Sequence, residues 1–493
     1  ALAQFFLPPA LAMEQEEPEQ LELAHLTGAN SASDGRGLVG VTTIGHPSRD
    51  FHPSKRTSSF DADTLSRSRG KAAITRCCPP SMCRCLQRRP ASIIATLLLL
   101  GCGLLAWHVF VPRPSVWHTD VFVGGLSGSP CYRIPALLAL PARNARGSDS
   151  GMPVLLAFAE WRVNGCGDSG DIHTVLRRSE DGGRHWSNAV VIASGKTAGF
   201  IGTATVGNPT PIWDANRNRV VLLMTANRGE DRERKIIKRR SVGTREVFVM
   251  HSDDAGLTWS AMQNITSMTK RPTWTWYATG PGAAIQLSGK WQGRLLVPCD
   301  HVETTSDGVV QYESHVIYSD DGGSVWQIGG SAAPFTNECT AAQLPGSDTV
   351  VLNMRTMSGA GRRSTQLSHD GGLTWNQEIF EEGLPDPGCQ GHVVAVPAGG
   401  PLGAGGLLVS NPSSVNSRRN LTIKFQRSAG DIPVATKVLQ VGPAAYSALQ
   451  LLPGEGIGDD HSVVGCLFER GVFSPYAKIS FARVPLTDVA QQG

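Results

Sequence analysis

An excess of charge of either sign is nearly absent from this sequence, with 45 Lys and Arg against 42 Asp and Glu. Over 493 residues the formal net charge is +3 and only 18% of residues are charged, so its balance offers nothing to a nucleic acid. Long apolar runs are as scarce. One stands out, ASIIATLLLLGCGLLAWHVFV at 91–111, which is 21 residues without a charge and long enough to cross a hydrocarbon core of ~30 Å. Before it, residues 1–90 lack any sustained apolar period. They are acidic at Glu14, Glu16, Glu17, Glu19 and Glu22, and rich in Ser, Pro, Lys and Arg from Pro53 onward, a composition that predicts a disordered tail. A cleaved signal peptide would not tolerate so long a stretch ahead of its apolar segment. The sequence opens at Ala1 and its first Met is Met13, so the first dozen residues read as untranslated sequence or as the interior of a longer chain. What is plentiful is glycine and proline, 55 and 31 residues. Turns on that scale suit many short strands better than long helices.

The flanks of the apolar run predict its orientation. Arg76, Arg84, Arg88 and Arg89 precede it and only Arg113 follows closely, so the positive-inside bias places the tail in the cytosol. The C-terminal part, residues 112–493, then lies in a lumen or outside the cell. Cys77, Cys78, Cys83 and Cys85 occur in RCCPPSMCRC before the run. Their CC and CxC spacings lack the paired CxxC of a zinc site and suit juxtamembrane acylation better. Cys131, Cys166, Cys299, Cys339, Cys389 and Cys466 follow it, an even number that permits three bridges without showing their pairing. Asn264-Ile-Thr and Asn420-Leu-Thr are glycan acceptors in such a compartment.

Four copies of one phrase punctuate the C-terminal part: SEDGGRHW from Ser179, SDDAGLTW from Ser252, SDDGGSVW from Ser319 and SHDGGLTW from Ser368. Asp-Gly suits the positive φ of a tight turn, the Asp side chain accepts bonds from the turn's own backbone, and Trp locks the turn onto a sheet. Their starts lie 73, 67 and 49 residues apart, about one propeller blade with variable loops. A degenerate fifth copy stands near Gln426-Arg427-Ser428-Ala429-Gly430. The phrases predict structure rather than chemistry. Between them run short apolar segments such as PVLLAFAE, RVVLLMTA and GRLLVPCD that end in polar residues, the pattern of strands whose ends converge on a cup.

One such strand opens at Cys131-Tyr132-Arg133-Ile134-Pro135. With the four Asp-box phrases, this Tyr-Arg-Ile-Pro signature resembles the sialidase (exo-α-neuraminidase) superfamily over roughly Asp120 to Val484. The resemblance implies an all-β fold, a six-bladed β-propeller with Asp-box repeats. It implies no metal and no organic cofactor. It also implies three arginines that hold a substrate carboxylate, a task for which planar guanidinium suits better than Lys. These are Arg133, Arg355 in Asn353-Met354-Arg355, and Arg418 after Ser410-Asn411-Pro412, with Arg419 as the neighbouring alternative. In AFAEWRVNGCGDSGDI, Arg162 resembles the family's further substrate contact and Asp168 its acid/base, with Asp171 the rival. Asp168 sits in a Gly-rich loop expected to move, and its role asks it to remain protonated near neutral pH.

The nucleophile of that family is a tyrosine, an exception among glycosidases. A carboxylate attacking a carbon that already bears one would meet repulsion, whereas a phenol escapes it but needs a base. Tyr446 in Tyr446-Ser-Ala-Leu resembles this nucleophile. Glu338 in Asn337-Glu338-Cys339 resembles its base, in preference to Glu313, and Glu469 in Phe468-Glu469-Arg470 resembles the carboxylate that pins Arg133. A glycan on Asn420 would crowd Arg418, so Asn264 is the better acceptor. The whole reads as a membrane-anchored exo-sialidase acting on sialylated glycoproteins, glycolipids or oligosaccharides. A trans-sialidase is the near alternative, with Trp161, Trp213, Trp274, Trp276 and Tyr277 as candidate rim aromatics. A non-catalytic Asp-box receptor is the alternative of another class.

Overall fold

The structure, a computed structural model, describes residues 116–125, 129–141, 152–304, 307–453 and 462–491. The chain divides into residues 1–88 and 89–493, and every described residue belongs to the second part. The expected tail (1–90) and apolar span (91–111) lie outside the described residues. Among those described, no helix is long and apolar enough to cross a membrane.

The described chain is almost entirely strand, and its strands fall into six antiparallel meanders. After β1 (Trp117–Val123) come β2 (Cys131–Ala139), β3 (Leu155–Arg162), β4 (Ile172–Ser179) and β5 (Val190–Ala193). The second group is β6 (Ala204–Asp214), β7 (Arg219–Arg228), β8 (Glu246–Ser252) and β9 (Gln263–Asn264). The third holds β10 (Trp274–Thr279), the short β11 (Ile285–Gln286), β12 (Leu295–Thr304), β13 (Val310–Ser319) and β14 (Gln327–Pro334). The fourth is β15 (Thr336–Gln343), β16 (Val350–Thr356), β17 (Arg362–Ser368) and β18 (Ile379–Pro385). β19 (His392–Val396), β20 (Gly406–Pro412), β21 (Arg419–Gln426) and the first half of β22 (Ala435–Leu452) form the fifth. The sixth takes the second half of β22, β23 (Val463–Arg470) and β24 (Lys478–Pro485), then returns to β1, with Trp117 opposite Arg483.

The core explains why inner strands read as apolar runs rather than alternating patterns: they are buried on both faces. β3 is buried at every residue except Trp161. One apolar cluster lies between each successive pair of groups. Leu156, Phe158, Leu222 and Met250 join the first to the second, and Val221, Leu223, Leu295 and Ile317 join the second to the third. Further clusters join third to fourth, fourth to fifth and fifth to sixth. Phe122, Leu155, Leu467 and Phe481 then join the sixth back to the first. Six clusters therefore close a circuit. Each adds burial at ~25 cal/mol per Å² of apolar surface, and none can form from one group alone.

The four repeated phrases occupy the turns after β4, β8, β13 and β17. In each, the Ser hydroxyl accepts the N–H of the residue four positions on, 2.8 Å in all four, and donates to the Asp carboxylate. The Asp in turn accepts backbone N–H bonds, as Asp321 does from Ser324 and Val325. Trp186 and Trp326 donate to the carbonyls of Gly183 and Gly323. The degenerate fifth copy works differently. Gln426 replaces the Ser, and the Gly430 N–H goes instead to the carboxylate of Glu381, which also accepts from Gln426. A long-range carboxylate has taken over the task of a local hydroxyl.

Candidate active site

At the strand ends opposite those turns, residues from the first, fourth, fifth and sixth groups meet. Arg133 is the second residue after the start of β2, and the next residue, Ile134, has φ 58°. A β-branched residue in that region carries strain of roughly 1–2 kcal/mol. It coincides with a register shift in the β2–β3 ladder between Arg133 and Ala136. Glu469, at the end of β23, holds the irregular segment in place. Its carboxylate is fully buried and accepts Arg133 Nε at 3.1 Å, Arg133 Nη2 at 3.3 Å and the N–H groups of Ile134 and Tyr446 at 2.9 and 3.2 Å. Four donors on one carboxylate offset its burial. They also fix Arg133 and Tyr446 relative to each other.

Tyr446 lies on β22, and its hydroxyl is 2.6 and 2.7 Å from the two oxygens of Glu338, donating to one of them. Burial first, and then the negative charge of Glu338, push the phenol well above its ordinary pKa, against Arg418, Arg355 and Arg133. It is a neutral donor with an acceptor already in place. Arg355, at the end of β16, bonds Glu338 at 2.9 Å, and its Nε is buried without a hydrogen-bond partner among the described residues. The guanidiniums of Arg133 and Arg418 lie 5.0 and 5.3 Å from the Tyr446 ring centre. Arg418 donates to the Tyr476 hydroxyl at 3.1 Å and the Gly388 carbonyl at 2.9 Å. Among the described residues it has no carboxylate partner.

Arg162 and Asp168 complete the cluster. Arg162 donates twice to Glu160 at 2.9 and 2.6 Å, and to Asp168 and the Cys166 carbonyl, both at 2.6 Å. Asp168 also accepts Arg133 Nη1 at 3.2 Å, although its side chain is 78% exposed. Desolvation in the cluster pushes its carboxyl up, but Arg162, then Arg133 and Arg418, outweigh that and hold it down at about 2. The expectation that Asp168 stays protonated near neutral pH is therefore corrected for the free site: three cations make it a carboxylate. The expected mobile loop is also tethered. Cys131 and Cys166 form a disulfide, so the loop is covalently joined to β2 two residues before Arg133. Cys299, Cys339, Cys389 and Cys466 remain buried thiols, so one bridge forms where three were permitted.

The alternatives fall elsewhere. Asp171 lies 3.6 Å from His173, Glu313 lies 3.7 Å from His301, and Arg419 is exposed at the start of β21. Of the candidate rim aromatics, Trp274 and Tyr277 are core, packed against His301 and His315. Trp213 packs on the cluster between the first two groups. Trp161 and Trp276 stay half-buried, the latter beneath Arg245 at 4.4 Å. Asn264 is exposed, whereas Asn420 has φ 57° and its side chain accepts the Gly442 N–H.

Sequence reasoning missed several members of the cluster. Glu160 is one, although the adjacency Glu160-Trp161-Arg162 offered a signal. Its other oxygen accepts the Asn208 N–H, and it fits only because residue 207 is glycine: a Cβ there would lie 2.0 Å from Oε1. Tyr476, whose ring lies 4.2 Å from the Arg133 guanidinium, gave no signal. Burial first, and then Glu338 and Glu233, push the Asp300 carboxyl well above the usual range against Arg355, and its Oδ1 has no hydrogen-bond partner among the described residues. Glu233 opens the short helix Glu233–Ile237 after β7; its side chain is exposed to solvent, yet desolvation by the surrounding protein and then Asp168 push its carboxyl up to about 7.

The chain is similar to several known proteins. The BNR repeat-like domain family matches residues 155–457. A sialidase from Micromonospora viridifaciens is 28% identical over 379 residues, covering 75% of this chain and 54% of its own length. This chain thus spans about half of that relative. Sialidase-3 of Mus musculus is 29% identical over 401 residues, covering 71% of this chain and 90% of its own. Among solved structures, the Hadza microbial sialidase Hz136 superposes with a TM-score of 0.65 at 26% identity, covering 76% of this chain and 69% of that one.

Proposed function

The chain belongs to the sialidase superfamily of BNR-repeat proteins, and on that premise we propose that it is an exo-sialidase: a six-bladed propeller that removes terminal α-linked sialic acid from glycoconjugates with retention. The observation that carries this reading is the Tyr446–Glu338 contact at 2.6 Å, surrounded by Arg133, Arg355 and Arg418. A phenol facing a carboxylate inside a ring of guanidiniums is a nucleophile beside its base.

The substrate carboxylate goes to the three arginines, first to Arg418, which has no carboxylate partner. As Arg133 turns toward the substrate, its hold on Asp168 weakens and a second anion enters, so the Asp168 pKa rises and the group takes a proton from solvent. Tyr446 then attacks the anomeric carbon and passes its proton to Glu338. The glycosidic C–O bond breaks, and Asp168 protonates the departing oxygen. In the second half, Asp168 deprotonates a water that attacks the same carbon, and the tyrosyl oxygen leaves and recovers its proton from Glu338. Two inversions give retention. The burial of Tyr446, Glu338 and Glu469 strengthens each charge interaction along this path.

The test incubates residues 112–493 with a sialyl-lactose, with and without excess galactoside. Release of free sialic acid in both supports hydrolysis. Transfer to the galactoside would replace it with a trans-sialidase, and neither product would leave a binding propeller. We further propose that residues 91–111 anchor the chain with its propeller lumenal or extracellular, a reading supported by the uncharged run and the arginines before it. Recovery of the full chain in the soluble fraction would overturn this.

A further inference from the structure

The segment 229–245, which contains the short helix Glu233–Ile237, has two sides. One bears Glu233, whose carboxyl responds to Asp168 and Glu338 in the active cluster. The other walls a separate cavity of about 390 Å³, within the range of small-ligand pockets. Three cations line it: Arg239, Lys270 and Arg271. Ser241, Thr244 and Ser267 add hydroxyls, Trp274 adds an aromatic face, and no carboxylate is among the lining residues. The acid that acts on Lys270 is Glu246, whose carboxylate already accepts from Asn264 at 2.6 Å, and Asp231 behind the lining is taken up by the N–H groups of Val242 and Gly243.

The cations differ in what holds them. Lys270 donates to Thr244 Oγ1 at 2.7 Å and to the carbonyls of Arg245 and Thr275, both at 2.8 Å. Arg239 spends one nitrogen on the carbonyls of Thr273 and Thr304. Arg271 is exposed, its guanidinium lies 5.3 Å from the Trp274 ring centre, and that guanidinium has no hydrogen bond or ion pair among the described residues. A guanidinium braced on an indole, beside a second guanidinium and an ammonium, is a fork without a ligand. Such a concentration of one sign in a chain of net charge +3 calls for a counter-charge from outside.

We propose that this cavity is a second binding site, for a carboxylate or phosphate anion, with Arg271 as its principal contact. It goes beyond the reaction above and holds whatever the active cluster hydrolyses. A second sialic acid of a multiply sialylated chain and a free phosphate share the required chemistry. Occupancy would be felt in the active cluster, because Lys270 holds the main chain of Arg245. The Arg245 guanidinium bonds Asn208 and Asn227 and feels Glu160, Glu233, Asp300 and Asp168. Desolvation first, and Arg245 second, hold Lys270 down at about 7, a state that a bound anion would relieve.

The experiment titrates inorganic phosphate into the detergent-solubilised full chain by calorimetry. Saturable binding is expected, weakened about ten-fold or more by Arg271→Ala and unchanged by Arg355→Lys in the active cluster. Arg271 is exposed, so its loss should leave Tm without phosphate unchanged. Absence of saturable binding overturns the proposal, as does equal affinity in Arg271→Ala. So does an affinity that falls with Arg355→Lys alone, since the anion would then occupy the active cluster. In Tyr446→Phe, used to block turnover, displacement of phosphate by a disialylated but not a monosialylated oligosaccharide assigns the cavity to the substrate's second sialic acid. Displacement by neither assigns it to phosphate.

Discussion

The Asp-box turns and the active cluster use the same kinds of side chain in opposite ways. In the turns, each carboxylate is satisfied by donors within four residues of itself, as Asp321 is by Ser319, Ser324 and Val325. In the cluster, Tyr446 and Glu338 are 108 residues apart, and Arg133 and Glu469 are 336 apart. A turn can form its bonds before the rest of the chain is in place. The cluster must wait for the whole circuit, and it gathers like charges that would otherwise separate. Charge matching is nearly complete there: Glu469 faces Arg133, Glu160 faces Arg162, and Glu338 faces Arg355. Only Arg418 is left without a carboxylate among the described residues. The local device stabilises, and the long-range one shares Asp168 between Arg162 and Arg133 and leaves Arg418 open.

That contrast can be broken most severely at Tyr446. Tyr446→Phe keeps the ring beneath Arg133 and Arg418 but removes the attacking oxygen. Turnover is expected to fall by at least ~10³-fold with Tm little changed; turnover within ten-fold of wild type would remove Tyr446 from its role. Next in size is Gly207→Ala, whose new Cβ would meet Glu160 Oε1 at 2.0 Å. Glu160 must move and Arg162 loses its brace, so kcat/KM is expected to drop by ~10–100-fold. An unchanged kcat/KM would show that Arg162 needs no such support.

A smaller effect is read on the pH axis. Arg162 is the strongest of the cations that hold Asp168 at about 2. Arg162→Gln therefore raises the Asp168 pKa. A general acid acts while protonated, so the alkaline limb of the kcat profile should move to higher pH. A limb that stays in place or moves to lower pH contradicts the acid role. Smallest for activity is Asp321→Ala in the third turn. Losing its local bonds should cost about 1–2 kcal/mol of stability and a few degrees of Tm, with turnover per folded molecule unchanged. Loss of turnover in the folded protein would mean that the two regions are not separate.

The turns were legible because everything that fixes them lies within eight letters: Ser, Asp, Gly and Trp at set spacing. Arg133, Arg355, Arg418, Asp168, Tyr446 and Glu338 were legible only as pieces of a family pattern. No local rule ties Tyr446 to Glu338. Tyr476 was not legible at all, since its contact with Arg133 and Arg418 depends on how the loop after β23 folds back. The ionisation of Asp168 was misjudged for a similar reason. A glycine-rich loop says nothing of the guanidiniums it will meet. Gly207 shows the same limit, because its lack of a side chain has meaning only once Glu160 is seen against it.

The return of β1 to β24 also sets a clock. The two paired strands are separated by the synthesis of some three hundred and fifty residues, roughly 20–70 s at ~5–20 residues per second. Through that interval β1 waits beside an edge with no neighbour, and Arg133 waits for the carboxylate that β23 will bring. Glu469 and Tyr476 follow Arg133 by some three hundred and forty residues. The nascent chain can therefore order its early turns one after another while having no competent site at any stage, and catalysis begins only when the ring is shut.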